Sequence, residues 1–148
     1  MRAVVFDLPE AVPLAREIVG DCAVADRIEV VAGDFFADPL PEGDLYALGR
    51  NLHDWTEEKI LKLLGRVSDR LPPGGAVLIA EKLLHEDKAG PVWALMQDLN
   101  MLGCTEGRER TLAEYEALLP PLDAVLGFKA SGPDDEGAVP PPAIEVPV

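Results

Sequence analysis

Basic residues are scarce in this chain. Thirteen Lys and Arg stand against 27 Asp and Glu, a formal net charge of -14 at pH 7. Nucleic acids and anionic membrane surfaces need clustered cations, so the imbalance argues against both as partners. Cysteine is nearly absent: Cys22 and Cys104 are too few for a disulfide framework, which predicts a reducing compartment. No apolar run approaches the roughly 20 residues that span a bilayer. The start, MRAVVFDLPE, has no charged region followed by an apolar one, so no signal peptide is read and a cytoplasmic location is expected. Serine occurs only at Ser68 and Ser131, neither within G-x-S-x-G, so a nucleophile elbow is excluded. His53 and His85, with two distant cysteines, give no zinc spacing, and no metal is expected. No G-x-G and no G-x-x-x-x-G-K-[ST] occurs anywhere, which removes the phosphate loop of triphosphate-binding proteins.

What remains is a chain of 148 residues, 48% hydrophobic, enough for one domain with a real core. Its first 110 residues alternate short β-type runs with helical patterns, the signature of an α/β domain with a parallel sheet. Ala3–Phe6, Ile28–Val31, Leu45–Leu48 and Ala76–Ala80 read as strands. After the first strand, Pro9 suits a helix's first turn, and Ala11, Leu14, Ala15 and Ile18 supply its apolar face. Thr56 is placed to cap a helix whose core stripe is Ile60, Leu63, Leu64, Val67 and Leu71, stopped by Pro72-Pro73-Gly74-Gly75. A helix over Pro91–Gly103 has Val92, Leu95, Met96, Leu99 and Leu102 as its core stripe, and Thr111–Glu114 reads as a capping box. Residues 120–148 hold seven of the fourteen prolines and little periodicity, so most of this stretch is expected to be a disordered tail. The acidity is uneven as well: residues 111–148 carry seven acids and one base.

In parallel α/β sheets, ligands bind beyond the carboxyl ends of the strands. Polar residues fall there repeatedly: Asp7, Gly33-Asp34, Arg50–Asp54 and Glu81. An acid at such a place can accept hydrogen bonds from both ribose hydroxyls, and Asp34 with Phe35 can hold an adenine; each can equally be an ordinary turn-former or cap. His53 follows a buried strand beside Asp54 and Trp55. Its imidazole titrates near neutrality and can take a proton from a hydroxyl, with Glu81 or Glu109 orienting the ring. A surface loop histidine is the bland alternative. Trp93, Gln97, Asn100 and Cys104 form a second stripe on the Pro91–Gly103 helix, suited either to a small aromatic ligand or to solvent.

Five segments occur in one order: FDLPE (Phe6–Glu10), AGDFF (Ala32–Phe36), LHDW (Leu52–Trp55), LPPGGAVLIAE (Leu71–Glu81) and LNMLGCTEGRERT (Leu99–Thr111). Together they resemble S-adenosylmethionine-dependent O-methyltransferases, in the acetylserotonin O-methyltransferase branch, over about residues 3–119. The resemblance implies a Rossmann-like class I methyltransferase fold and S-adenosyl-L-methionine as cofactor. It implies that Asp7 binds the ribose, that Gly33, Asp34 and Phe35 hold the adenosine, and that Arg50 touches the cofactor. It further implies His53 as general base on a hydroxyl of a small aromatic substrate, with Glu81 and Glu109 flanking it. Asp54 and Asn100 match substrate-side positions, and Gln97 joins them on the helix face.

The family's glycine-rich loop and helical N-terminal dimerisation domain have no counterpart here, so a partial sheet lacking its first βα unit is expected. Residues 1–126 are then a partial catalytic domain and 127–148 a Pro- and acid-rich tail, with Leu122–Leu126 resembling the family's closing strand. The family is homodimeric. The competing expectation is a truncated, inactive piece acting only as a binding or dimerising module. A dinucleotide-binding half of an oxidoreductase is a third reading, opposed by the missing glycine fingerprint.

Overall fold

The structure, a computed structural model, describes residues 1–119 and the strand backbone of 125–129. It is an α/β fold in two compact units, Met1–Glu42 and Gly43–Val148.

In the first unit, β1 (Ala3–Asp7) and β2 (Ile28–Ala32) pair in parallel, with Asp7 opposite Ala32. That register brings Asp7 and the Gly33-Asp34 step to one end of the two-stranded sheet, and the Gly33 N–H donates to the Asp7 carbonyl at 2.8 Å. The connecting helix α1 spans Val12–Gly20. It starts later than the sequence suggests: Pro9 lies in the preceding turn, and Pro13 occupies the first helical turn instead. Its inward face also differs from the expected one. Val12 is buried and Ala11, Ala15 and Val19 are half-buried, whereas Leu14 and Ile18 are exposed. A nine-residue helix on two strands buries only a narrow stripe, so half of its apolar residues find no partner within this unit.

In the second unit, β3 (Leu45–Gly49), β4 (Ala76–Glu81) and β7 (Val125–Lys129) form a parallel sheet with β4 in the middle. Of the segment expected as the closing strand, Val125 and Leu126 lie on β7, which runs on to Lys129, and residues 122–124 fall outside the described residues. Residues 127–129, expected as the start of the tail, lie on β7 instead, and the rest of the expected tail, from residue 130 onward, falls outside the described residues.

Helix α2 (Glu57–Arg70) follows its sequence closely. The Thr56 side chain accepts from the Lys59 N–H, and Glu57 and Glu58 sit near the positive end of the helix dipole. Ile60, Leu63, Leu64 and Val67 are all buried, worth about 2 kcal/mol each in apolar area removed from water. The helix ends before a Pro72–Gly75 turn in which Gly74 has φ 79° and the Gly75 N–H donates to the Pro72 carbonyl. Glycine is required where that turn goes left-handed.

A short parallel pair, β5 (Leu83–Leu84) and β6 (Arg110–Thr111), brackets helix α3 (Val92–Cys104). Here the expected core stripe is overturned. Val92, Met96, Leu99 and Leu102 are exposed, Leu102 at 81%, while Ala94 and Met101 are buried and Leu95, Gln97 and Asp98 half-buried. Polar anchors set the rotation of the helix: Asp98 Oδ1 accepts the Glu109 N–H at 2.8 Å, and Gln97 Oε1 accepts from Lys82 Nζ at 3.2 Å. Ala94, Asp98 and Met101 share one face by helical spacing, so fixing Asp98 turns the more hydrophobic side outward. Helix α4 (Leu112–Leu118) opens with the complete Thr111/Glu114 capping box.

Candidate active site

The second unit gathers three ionisable side chains that are far apart in sequence. His53 sits in a 3-10 turn, Leu52–Asp54, just past the end of β3. Glu81 is the last residue of β4, and Glu109 immediately precedes β6. All three are buried, His53 at 4%, Glu81 at 1% and Glu109 at 0% exposure. His53 Nδ1 lies 3.2 Å from Glu81 Oε2 and 3.1 Å from Glu109 Oε1. It is at ion-pair distance from both carboxylates and in aligned hydrogen-bond geometry with neither. Its other nitrogen, Nε2, is 3.7 Å from Asp54 Oδ1.

Each member is anchored by backbone. Glu81 Oε1 accepts the Asn51 and Leu52 N–H groups, both at 2.7 Å, tying the end of β4 to the base of the histidine turn. Asp98 on α3 holds the Glu109 N–H. Arg50, which opens the segment, has φ 51° and donates its N–H to the Ala80 carbonyl at 2.9 Å. A non-glycine residue in the left-handed region costs about 1 kcal/mol or more and recurs at functional sites. The Arg50 side chain is exposed.

The electrostatics centre on one proton. The Glu109 carboxylate raises the His53 pKa above its ordinary 6.5, burial pulls it down, and the Glu81 charge supports the rise. Burial pushes the Glu81 carboxyl upward, and the imidazole charge and the two N–H bonds oppose that. Two buried carboxylates beside one imidazole favour a protonated ring. When the ring is neutral, carboxylates at Nδ1 keep the proton there and leave the lone pair on Nε2. The three groups also have donor types found in divalent-cation sites, with ligand atoms within 4.8 Å of one another.

The other expected site residues are placed as follows. Asp54 is half-buried beside the ring. Gln97 is half-buried and held by Lys82, whose Nζ lies 5.2 Å from the centre of the Trp93 ring. Asn100 is exposed, and its Oδ1 accepts from Cys104 Sγ at 3.7 Å. In the first unit, Asp7 Oδ1 accepts the Leu8 N–H, and Asp34 Oδ1 accepts the Phe36 N–H. Asp34 thus closes a local side-chain turn, Asp7 ends its strand, and each of these bonds uses a single carboxylate oxygen. Gly33 is buried, and a Cβ there would overlap the Phe6 ring. Phe35 is half-buried, its ring edge-on to Phe36 with centroids 4.7 Å apart.

Sequence reasoning missed Gly107 and Arg110, although both lie in the GRERT stretch. A Cβ at Gly107 would fall on the backbone of His53, Asp54 and Trp55. Arg110 is buried against the same turn. A buried arginine whose bonds go to backbone carbonyls gives no periodic signal.

This architecture has many relatives. Residues 1–124 match the family model described as an O-methyltransferase domain. Acetylserotonin O-methyltransferase of Bos taurus is 51% identical over 120 residues, which is 81% of this chain and 34% of that protein. A human protein named probable bifunctional dTTP/UTP pyrophosphatase/methyltransferase is 50% identical over 119 residues, 80% of this chain and 19% of its own length. The solved structure of human N-acetylserotonin methyltransferase in complex with SAM superposes with a TM-score of 0.74 at 46% identity, covering 80% of this chain and 33% of that one. An O-methyltransferase family 2 protein from Planctomyces limnophilus, in complex with apigenin, gives 0.75 at 37% identity over 79% and 36%. The chain thus spans about a third of the acetylserotonin relatives it matches. It belongs to the O-methyltransferase family.

Proposed function

We propose that this chain carries the proton-transfer half of an S-adenosyl-L-methionine-dependent O-methyltransferase acting on a hydroxyl of a small aromatic, acetylserotonin-like substrate. The observation that carries the reading is the buried His53 with Nδ1 at ion-pair distance, 3.2 and 3.1 Å, from two buried carboxylates. Such a ring is oriented, kept in one tautomer and made more basic, which are the needs of a general base. His53 Nε2 accepts the proton of the substrate hydroxyl, Glu81 and Glu109 stabilise the imidazolium that results, and Asp54 lies beside Nε2 on the substrate side. S-adenosyl-L-methionine, when bound, supplies a sulfonium methyl for in-line displacement by the deprotonated oxygen.

The cofactor-side residues fit a nucleoside. Asp7 and the Gly33-Asp34 step stand together at the carboxyl end of parallel strands, where such ligands bind. Asp7 would hold the ribose, Gly33, Asp34 and Phe35 the adenosine, and Arg50 the remainder. Gln97 and Asn100 would contact the substrate from α3. Relatives support this reading: one solved structure holds SAM and another apigenin.

Calorimetric titration with S-adenosyl-L-methionine tests it. Binding is expected, with His53→Ala abolishing methyl transfer to an aromatic hydroxyl while leaving cofactor affinity nearly unchanged. No heat at millimolar cofactor would overturn the claim that this chain is itself an enzyme and leave the binding-module reading standing. Loss of both binding and turnover in His53→Ala would make His53 structural.

A further inference from the structure

We propose that Arg110 is a positioning residue that fixes the backbone turn carrying His53, and that Gly107 is the gap that lets it do so. The inference rests on the reading of His53 as the base.

Arg110 is 1% exposed, and its guanidinium spans the turn. Nη2 donates to the Trp55 carbonyl at 3.2 Å, and Nη1 donates to the Leu52 carbonyl at 3.4 Å and to the Arg108 carbonyl at 3.0 Å. Leu52 and Trp55 bracket His53, so the planar fork clamps both ends of the segment that holds the ring. A flexible ammonium cannot reproduce two fixed donor directions. Among the described residues no carboxylate stands within ion-pair distance of this guanidinium; its neighbours are carbonyl oxygens and the Tyr115 ring, centred 5.8 Å away. Burying an unpaired charge is costly, and the three carbonyl bonds are what offset that cost. The guanidinium therefore serves the turn rather than a salt bridge.

Gly107 completes the arrangement. An added Cβ would meet backbone atoms of His53, Asp54 and Trp55, none of which can swing away as a side-chain tip could. The chain from 107 to 110 thus presses on the histidine turn from two sides of one loop, while delivering Glu109 to Nδ1. Glu81 comes from β4, Glu109 from the approach to β6 and Asp54 from the turn itself; these are the charged groups in contact with the ring.

The chain has two histidines, and His85 is exposed, so imidazole NMR follows the buried ring of His53 directly. In Arg110→Met, and in Gly107→Val, the turn relaxes away from Glu109. The His53 titration midpoint should then fall toward its ordinary value. Arg110→Lys, which keeps the charge and loses the fork, should give an intermediate shift, and it carries the test if Arg110→Met does not fold. Val67→Ala, a core change in α2, controls for loosening alone and should leave the His53 midpoint in place. In turnover, Arg110→Lys should lower kcat about tenfold with KM for the cofactor unchanged, the pattern of a misplaced catalytic group. A His53 midpoint unmoved in the Arg110 variants, or moved equally by Val67→Ala, would overturn the proposal. The NMR reading needs no methyl transfer, so absence of turnover with a shifted midpoint rejects the enzyme reading alone.

Discussion

Replacing Glu109 by Gln removes one of the two charges at His53 while keeping the side chain's shape. A unit charge pair at the observed 3.1 Å interacts by about 5 kcal/mol at an effective dielectric of about 20. Burial of both groups opposes that attraction and Glu81 remains as a partner, so we expect the loss to be nearer 2 kcal/mol. Such a loss should lower the His53 midpoint toward its ordinary value. Folding raises the His53 pKa, so its contribution to stability is full below about pH 6.5 and disappears as pH rises through the folded value. The wild-type chain should therefore lose stability as pH rises from about 6.5 through the folded His53 value, measured as urea midpoints with constant m. Glu109→Gln should be less stable than wild type near pH 6, and the gap should narrow at pH 8.5, because loss of the ring proton leaves two buried carboxylates facing each other. Other groups titrating in this range cancel between the two proteins. A gap of the same size at both pH values would refute the coupling of His53 to Glu109.

Further outcomes follow from single elements. Thr111→Ala removes the N-cap acceptor for the Glu114 N–H and should cost about 1 kcal/mol by urea unfolding. Leu63→Ala in the buried stripe of α2 should cost about 3 kcal/mol by the same measurement. At Glu114, burial works upward, yet bonds from Lys88, the Thr111 N–H and Arg108 outweigh it and hold the carboxyl at about 2. That lowered value contributes stability above about pH 4.5, lost as acid approaches the folded value. Glu114→Gln should therefore flatten the acid side of the stability profile, and unchanged acid unfolding would count against the network.

Elements with a local cause were legible in the sequence. The α2 helix has a threonine cap, acids in its first turn, aliphatic residues at helical spacing and a Pro-Pro-Gly-Gly stop, and it forms where those signals place it. The Thr111/Glu114 box is local in the same way. The faces of α1 and α3 were not legible, because hydropathy says which residues are apolar but not which partner is available to cover them. On α3 the decision fell to Asp98 and Gln97, whose hydrogen bonds reach Glu109 and Lys82, and no spacing rule encodes such long-range polar contacts. His53, Glu81 and Glu109 could be named through chemistry and family resemblance. The clamp that unites them, Arg110 and Gly107, acts on backbone atoms and leaves no side-chain pattern to read.

The two carboxylates act on His53 in opposed senses. By raising the pKa they make the ring a stronger base, yet they also keep it protonated over more of the neutral range, when a base must be empty to work. Burial of the ring limits this conflict, since desolvation favours the neutral imidazole and lowers the pKa. The two N–H groups donated to Glu81 Oε1 help in the same direction, because a carboxylate already holding two hydrogen bonds pulls less on a third proton. Turnover should accordingly rise with pH through a midpoint above 6.5, and that midpoint should move down in Glu109→Gln together with the maximal rate. A lower midpoint with an undiminished rate would mean that Glu109 only sets the charge of the ring; a lower rate with an unmoved midpoint would mean that it only aims it. The geometry, one carboxylate tied to the Asn51 and Leu52 backbone just before the histidine and the other brought in by a separate loop, predicts both changes at once.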